Sequence, residues 1–422
     1  MNYLGSIEES AISVNANKVI SRLQENGFQA YLVGGCIRDL LLRKTPKDFD
    51  IATDAKPEEV RELFRNSLII GKRFRIVHVR FGREIIEVTT FRGPHADDYD
   101  ENHSDSGMTL NDNVYGTFEE DVFRRDFTMN AIYYEPRERD IIDLADGTAD
   151  IESQIIRTIG DPTGRLREDP VRMLRAIRFQ AKLEFSLEPG LESSIRSLGH
   201  LLQDVPPARL FEEVLKLFLS GYGTAAFDSM MENDIYGWLF PDSKRSMKNN
   251  PTEELLRLAL TSTDQRIAIK KPVTPAFIYA AILWYPFIEE KGRLEQEGEM
   301  TYAAAHEAAN NVISKQQLFT SIPKRFTGPM RDIWFLQSRL PSRFGQKPDR
   351  TMEHKRFRAA YDFLLLREQA GEKTEQLGEW WTEYQEATDE RKLAMKQSNS
   401  NGRQRKRKAR PKASTNDKAS SN

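Results

Sequence analysis

Apolar and polar residues alternate in short bursts over the first third of the chain. Runs at Ala30–Val33, Phe49–Thr53, Arg75–Phe81, Glu84–Phe91 and Ala131–Tyr134 are rich in β-branched and aromatic residues, which predicts strands. Helical segments lie between them. Residues 1 to about 27 read as a lead-in and a helix, and Pro57-Glu58-Glu59 opens another that runs to about Phe64, with proline at a first-turn position. From about Ile151 the strand signal fades, and apolar positions spaced for helices dominate to about Gln385. Behind Val205–Glu213, Leu210, Val214, Leu217 and Phe218 form a core stripe; Phe277–Tyr285 is apolar all round and reads as buried core. The pattern predicts an α+β chain, with a head of mixed β-sheet and helices followed by an all-helical body.

Length and charge refine this picture. The 422 residues suffice for several cores. No run of about 18 apolar residues is present, so no stable membrane insertion is expected. The N-terminus lacks a basic and then apolar segment, so no secretory signal is expected. The single cysteine, Cys36, excludes an internal disulfide and fits a reducing, cytoplasmic setting. Six scattered histidines without cysteine or histidine partners nearby argue against a zinc site. The net charge of -2 hides an asymmetry, because nine Lys or Arg and one acidic residue, Asp417, fall between Lys396 and Asn422. Nearly free of large apolar residues, this tail is expected to be disordered, and Arg403–Arg410 is a handle for a polyanion. The polar stretch His95–Asp112 reads as a mobile loop.

Three clusters carry chemistry. In the first, an apolar run ends in Gly34-Gly35, a helix-like segment carries Arg38, and Asp48-Phe49-Asp50 follows in a strand-like run. Strand side chains alternate faces, so Asp48 and Asp50 share one. Two carboxylates side by side repel unless a divalent cation sits between them. Gly34 and Gly35 permit a close backbone approach, which suits phosphate. Metal and phosphate together point to nucleotidyl transfer. The second cluster, Arg124-Arg125-Asp126-Phe127-Thr128-Met129-Asn130, offers guanidiniums for phosphate and an amide for a ribose hydroxyl. In the third, Arg167 to Arg178, Asp169 is a good N-cap and Pro170 a good first helical residue. There Met173, Leu174, Ile177 and Ala181 share one helix face, and Arg172, Arg175 and Arg178 the opposite one. Glu168 and Asp169 beside Arg172 can hold a guanidinium against the edge of a base. Ile322–Phe326, His354–Arg358 and Trp380-Trp381 mix basic and aromatic residues, as phosphate tracking and base stacking require, although a core with a solvated rim explains Trp380-Trp381 equally well.

Together these motifs resemble the template-independent nucleotidyltransferases of the class that holds tRNA CCA-adding enzymes and bacterial poly(A) polymerases. The likeness rests on Gly-Gly-x-x-Arg-Asp, Asp-Phe-Asp, Arg-Arg-Asp-Phe-Thr-x-Asn-Ala and Glu-Asp-Pro-x-Arg-x-x-Arg-Ala-x-Arg-Phe, between about Tyr31 and Glu188. Pro206–Glu213, Trp284-Tyr285-Pro286, Ile322–Arg325, Arg331–Trp334, Phe357–Asp362 and the basic tail are more similar to the bacterial poly(A) polymerases. The resemblance implies a polynucleotide adenylyltransferase that moves AMP from ATP onto RNA 3′ ends, of mRNA and other RNAs, releases pyrophosphate, and marks RNA for the decay machinery. A tRNA CCA-adding activity is the alternative. It further implies Mg²⁺ held by Asp48 and Asp50, with Asp126 as the third catalytic carboxylate and Glu87 as its rival. Gly34, Gly35 and Arg38 would contact the triphosphate, Arg125 and Asn130 phosphate and ribose, and Asp169, Arg172 and Arg175 the base. The implied segments are a catalytic head (1–150), a nucleotide- and RNA-binding neck (151–220), an RNA-binding body (221–395) and the tail (396–422).

Deleting Lys396 to Asn422 is expected to lower RNA affinity. Its log–log salt dependence should flatten by about 0.7 for each phosphate that the tail no longer neutralises. RNA binding at several salt concentrations, full-length against truncated, measures this; equal slopes would make the tail a solubility device.

Overall fold

The computed structural model describes residues 7–71, 75–93 and 114–396. The expected loop at His95–Asp112 and the tail beyond Lys396 lie outside the described residues. Lys396 itself belongs to the body, since its Nζ pairs with Asp349 Oδ2 at 2.8 Å. The described residues form two compact units. One runs up to Leu217 and takes in Ala225–Leu239; the other comprises Phe218–Thr224 and the chain from Phe240 onward. The first takes in the expected neck only as far as Leu217, together with Ala225–Leu239 from the expected body.

The first unit is built on a seven-stranded mixed sheet. Its strands are β1 (Ala30–Val33), β2 (Asp50–Thr53), β3 (Ser67–Ile70), β4 (Ile76–Phe81), β5 (Glu84–Thr90), β6 (Ile132–Glu135) and β7 (Asp140–Asp143), in the order β3-β4-β5-β2-β1-β6-β7. All neighbours are antiparallel except β2 and β5. The five expected strands form within a residue or so of their predicted bounds. Two of this sheet's strands were not foreseen, β3 and β7, and they are its edges; Ile155–Ile156 and Ser186–Leu187, in the stretch expected to be all-helical, also pair, in parallel, as a separate two-stranded sheet. Around it run α1 (Val14–Glu25), α2 (Gly35–Leu41), α3 (Pro57–Leu63), α4 (Phe118–Phe123) and α5 (Gly147–Glu152). The Ser13 hydroxyl caps α1 by accepting from the Asn15 and Ala16 amides, and α1 buries Ala16, Val19, Ile20 and Leu23. Thr117 and Glu120 form a capping box on α4.

Helices α6 (Pro162–Glu168), α7 (Val171–Leu183), α8 (Pro189–Leu198) and α9 (Pro207–Phe218) follow. The expected cap holds in modified form. Asp169 Oδ1 accepts from Val171 N at 3.3 Å, and α7 begins one residue after Pro170. Met173, Leu174 and Ile177 are buried, as the wheel requires, but so is Arg172, at 8% exposure. The arginine face of α7 is therefore not a solvated one.

The second unit is helical among its described residues. Phe287 stacks on Trp334 at 4.7 Å, and Trp334 Nε1 donates to the Ala280 carbonyl at 3.1 Å. A second cluster joins Leu340, Phe357, Tyr361, Leu364, Leu377, Trp381, Tyr384 and Met395. Trp381 is fully buried, and Trp380 stacks on Tyr384 at 4.7 Å. This tryptophan pair is core and its rim.

Gly147 marks the tightest contact near the second sequence cluster. A Cβ there would lie 2.2 Å from the Thr128 carbonyl oxygen, so α5 can pack against Thr128–Asn130 only with glycine at that position. Gly147→Ala is expected to destabilise the protein by about 1–3 kcal/mol through overpacking, read as a lower midpoint in denaturant unfolding. An unchanged midpoint would mean that this turn yields freely.

Candidate active site

Register across the sheet assembles the first part of the site. Val33 pairs with Asp50, Asp50 with Glu87, Glu87 with His78, and Val33 with Tyr133. Registered neighbours share a face, so Asp50 and Glu87 stand side by side. Asp48 lies just outside β2 and is exposed, with Lys47 Nζ 3.8 Å from its carboxylate. Burial, then Glu87, then Asp48 push the Asp50 carboxyl up to about 6, and Arg125 only partly offsets them. His78 Nε2 sits 3.3 Å from Glu87 on its far side. Among the described residues no three acidic, histidine or cysteine side chains converge closely enough to hold a metal alone. Two or three crowded carboxylates on one face, one of them with a raised pKa, nonetheless fit a divalent cation that takes its remaining ligands from a nucleotide's phosphates.

Two residues further along the strands on the same face, Thr89, registered with Ala52, and Ile76 floor a cavity of about 420 Å³. The cavity is also lined by Arg92, just past β5, and by α4 and its C-terminal turn, α6, α7 and α9, including Arg125, Asp126, Asp169, Arg172 and Arg175. Arg125 links the two parts. Its Nη1 passes 3.6 Å from where a Gly34 Cβ would stand, while Nε donates to Tyr133 Oη at 2.7 Å and Nη2 to Asp121 Oδ2 at 2.9 Å. Gly34 has φ 79°, a left-handed conformation that favours glycine at this bend into α2.

Ion pairs hold the remaining candidates. Asp126 accepts from Arg175 Nε at 2.8 Å and from Asn130 Nδ2 at 3.2 Å. Burial raises its pKa, but Arg175 and Asn130 outweigh burial and hold the carboxyl down at about 2. Arg38, 3% exposed, donates to Asp39 Oδ1 through Nε at 2.9 Å and Nη2 at 2.6 Å, and to Asn130 Oδ1 through Nη1 at 2.7 Å. Arg38 and Asn130, expected at triphosphate and ribose, are thus bonded to each other. Arg172 Nη1 donates to Glu168 Oε2 at 2.7 Å, which is the carboxylate-held guanidinium expected from the sequence, and also to the Arg165 carbonyl at 2.8 Å. Asp169 Oδ2 accepts from Arg209 Nη2 at 2.7 Å.

Sequence reasoning gave no role to Arg165, Asp121 or Arg209. Arg165 Nη2 donates to the carbonyls of Arg124 and Arg125 at 2.5 and 2.6 Å, tying the second sequence cluster to the third; burial and Arg172 push this guanidinium down to about 10. The signal was present, since Arg165 precedes Glu168 by three residues on one helix. Cys36 is buried and donates to the Val33 carbonyl, and burial pushes its thiol up to about 12.

Known proteins resemble this chain in sequence and in fold. Residues 30–157 match the family model described as the poly A polymerase head domain. Residues 184–247 match its "probable RNA and SrmB-binding site", and 297–414 its arginine-rich C-terminus. The chain is a nucleotidyltransferase. Poly(A) polymerase I of Haemophilus influenzae is 46% identical over 389 residues, 90% of this chain and 86% of the relative. A CCA-adding enzyme of Lactobacillus helveticus is 38% identical, over only 53% of this chain and 54% of its own. A solved structure described as a tRNA-processing enzyme in an apo form shares the fold, with a TM-score of 0.60 and 19% identity over 96% of this chain and 98% of that one. The chain belongs to the poly(A) polymerase I family.

The raised pKa of Asp50 has a consequence for stability. The folded value, about 6, lies above the ordinary 3.8, so the folded form holds this proton more tightly. Its contribution is fully present below the ordinary value and is lost as pH rises through about 6. In metal-free protein, Asp50→Asn is expected to raise the melting temperature relative to wild type by an amount that grows as pH rises toward 7. Melting curves in chelator across that range measure it; a difference independent of pH would contradict the crowding.

Proposed function

We propose that the protein extends RNA 3′ ends with AMP from ATP, without a template. The observation that carries this reading is the carboxylate pair Asp50 and Glu87 on the sheet face that also floors the arginine-lined cavity. The RNA 3′-hydroxyl oxygen bonds to the α-phosphorus, the α–β anhydride bond breaks, and pyrophosphate leaves. Asp48 and Asp50 would hold Mg²⁺, which supplies a lowered pKa for the attacking hydroxyl and charge compensation for the leaving group. Asp126 is one candidate for a third carboxylate. Its commitment to Arg175 and Asn130 instead supports a positioning role, and the register of Glu87 with Asp50 supports Glu87 as the third. Arg125 would bind phosphate, a reading supported by its position near Gly34 and in the cavity wall. Arg38 and Asn130 act as a bonded pair, and Gly34 and Gly35 leave room for the triphosphate. Asp169, Arg172 and Arg175 shape the side of the cavity assigned to the base. RNA is held along basic surfaces and the tail, and tails of AMP would commit it to decay.

The test is extension of unstructured RNA with one labelled nucleotide at a time. Long A-tracts on arbitrary RNA support the reading, whereas CTP-dependent addition to tRNA that stops would replace it with CCA addition. Asp48→Ala and Asp50→Ala are each expected to cut AMP transfer by about a hundred-fold or more, the scale for losing an electrostatic group at a reacting centre. Activity within a few-fold of wild type at saturating Mg²⁺ would remove these residues from metal binding.

A further inference from the structure

The second unit carries an aromatic cluster that its core does not use. Tyr302, His306 and Phe335 meet across two helices, Thr301–Gln316 and Lys324–Arg339. The His306 ring lies 4.5 Å from that of Tyr302, tilted by 53°, and 4.4 Å from that of Phe335, tilted by 42°. Rings packed this closely usually belong to a core, as the buried Phe287 and Trp334 do in the same unit. Here exposure rises along the cluster: Phe335 is half-buried, His306 is exposed, and Tyr302 is 77% exposed. A single exposed aromatic needs no explanation, but three in contact, with the outermost bare to water, make a platform. Contact with His306 also restrains the Tyr302 ring, so less side-chain entropy is left to lose when something lies on it.

The charge around the platform selects its occupant. The helix Lys324–Arg339 holds Lys324, Arg325, Arg331 and Arg339 against one acid, Asp332. Arg331 and Arg339 stand one turn to either side of Phe335, and Lys324 falls on the same stripe of the helix. Among the described residues Lys324, Arg331 and Arg339 make no ion pair, whereas Arg293, Arg358, Arg367 and Arg391 of the same unit are each matched to a carboxylate. Arg325 lies over the Phe326 ring at 4.8 Å. The only acids on the two helices are Glu307 and Asp332. Free cations interleaved with stackable rings fit a polymer that alternates phosphate with base, which is single-stranded nucleic acid. An apolar protein surface would cover the rings and leave the cations unmatched.

We propose that Tyr302, His306 and Phe335 form a stacking site for single-stranded RNA, with a base on the open face of Tyr302 and the flanking phosphates on Arg331, Arg339 and Lys324. The inference goes beyond the AMP-transfer reading, whose chemistry lies in the first unit, and rests on it only for RNA as the polymer. Stacking uses the face of a base and not its edge, so the site takes any sequence. A purine covers more of the tyrosine ring than a pyrimidine does, so an A-tract is held more tightly than a uridine tract of equal length.

The test is equilibrium binding of fluorescein-labelled oligo(A), and of an abasic ribose-phosphate oligomer of equal length, to the full chain without ATP. Tyr302→Ala should weaken oligo(A) binding by about five-fold or more, the scale of one base–aromatic stack, and leave the abasic oligomer within about two-fold of wild type. Tyr302→Phe should bind both oligomers as wild type does. Arg339→Gln should weaken both in parallel and flatten the log–log salt slope by about 0.7. Both side chains are exposed, so neither substitution removes a core contact. Oligo(A) binding by Tyr302→Ala equal to that of wild type overturns the proposal. So does an equal loss on both oligomers, which would make the tyrosine structural. If wild type self-associates and Tyr302→Ala abolishes that while RNA binding stands, the platform is a contact between copies and the proposal falls. A wild type that binds neither oligomer overturns RNA as the polymer of the AMP-transfer reading, a failure distinct from that of the platform.

Discussion

The ion pair between Asp126 and Arg175 is the constraint on which the site depends. It joins the turn that precedes β6 to the middle of α7, and the other hydrogen bonds that Asp126 accepts fix the Phe127 amide and Asn130. Asn130 in turn holds Arg38, and Arg38 holds Asp39, which also takes Lys182 from the far end of α7 at 3.3 Å. This network therefore leaves α7 at one arginine and returns to it at a lysine. Arg175 keeps 34% of its side chain exposed, so this pair is half-buried, and losing one partner costs less than is typical of a fully buried pair, about 3–5 kcal/mol. The pair consequently sets the spacing between the sheet and the arginine face, and with it the width of the cavity.

The same wall explains why so many cations can gather without repelling one another apart. Four of the cavity's guanidiniums are matched to carboxylates: Arg125 to Asp121, Arg172 to Glu168, Arg175 to Asp126 and Arg209 to Asp169. The pairs lie across helix boundaries in three of the four cases, so the charges that favour phosphate also lock the helices together. Planar forks suit this double use better than ammonium groups, since a guanidinium can satisfy a carboxylate and keep a donor in hand. Arg209 is the clearest instance, with one nitrogen engaged and another held dry.

Much of this was legible in the sequence, for reasons that differ from element to element. The central strands β1, β2, β4, β5 and β6 read as β-rich runs because they are buried on at least one face along their length. β3 and β7 did not. Ser67–Ile70 is mostly half-buried, and Asp140–Asp143 places two isoleucines between aspartates, so both owe their strand form to an adjacent partner rather than to their own pattern. Glu168 with Arg172 was legible as neighbours one turn apart. Asp126 with Arg175 and Asp169 with Arg209 span 49 and 40 residues and could only be found once the chain was folded. The outward face of α7 was legible as arginine-rich but not as buried, because a helical wheel cannot tell solvent from a polar neighbour.

The parallel pairing of β2 with β5 carries a kinetic implication. Asp50 and Glu87 meet only across that pairing, and the chain between them must first run through α3, β3 and β4. On its other side β5 pairs with β4 across a tight turn, and that hairpin can form early. The crowded carboxylates are thus brought together by a long loop closure against their own repulsion. A nascent chain that has emerged only as far as β4 lacks Glu87 and cannot assemble this row, whereas one that has just completed β5 can, long before the helical body is synthesised. Cation binding to that row would reward closure at the step where repulsion opposes it. A divalent ion that binds only the closed row would then favour the folded head by mass action.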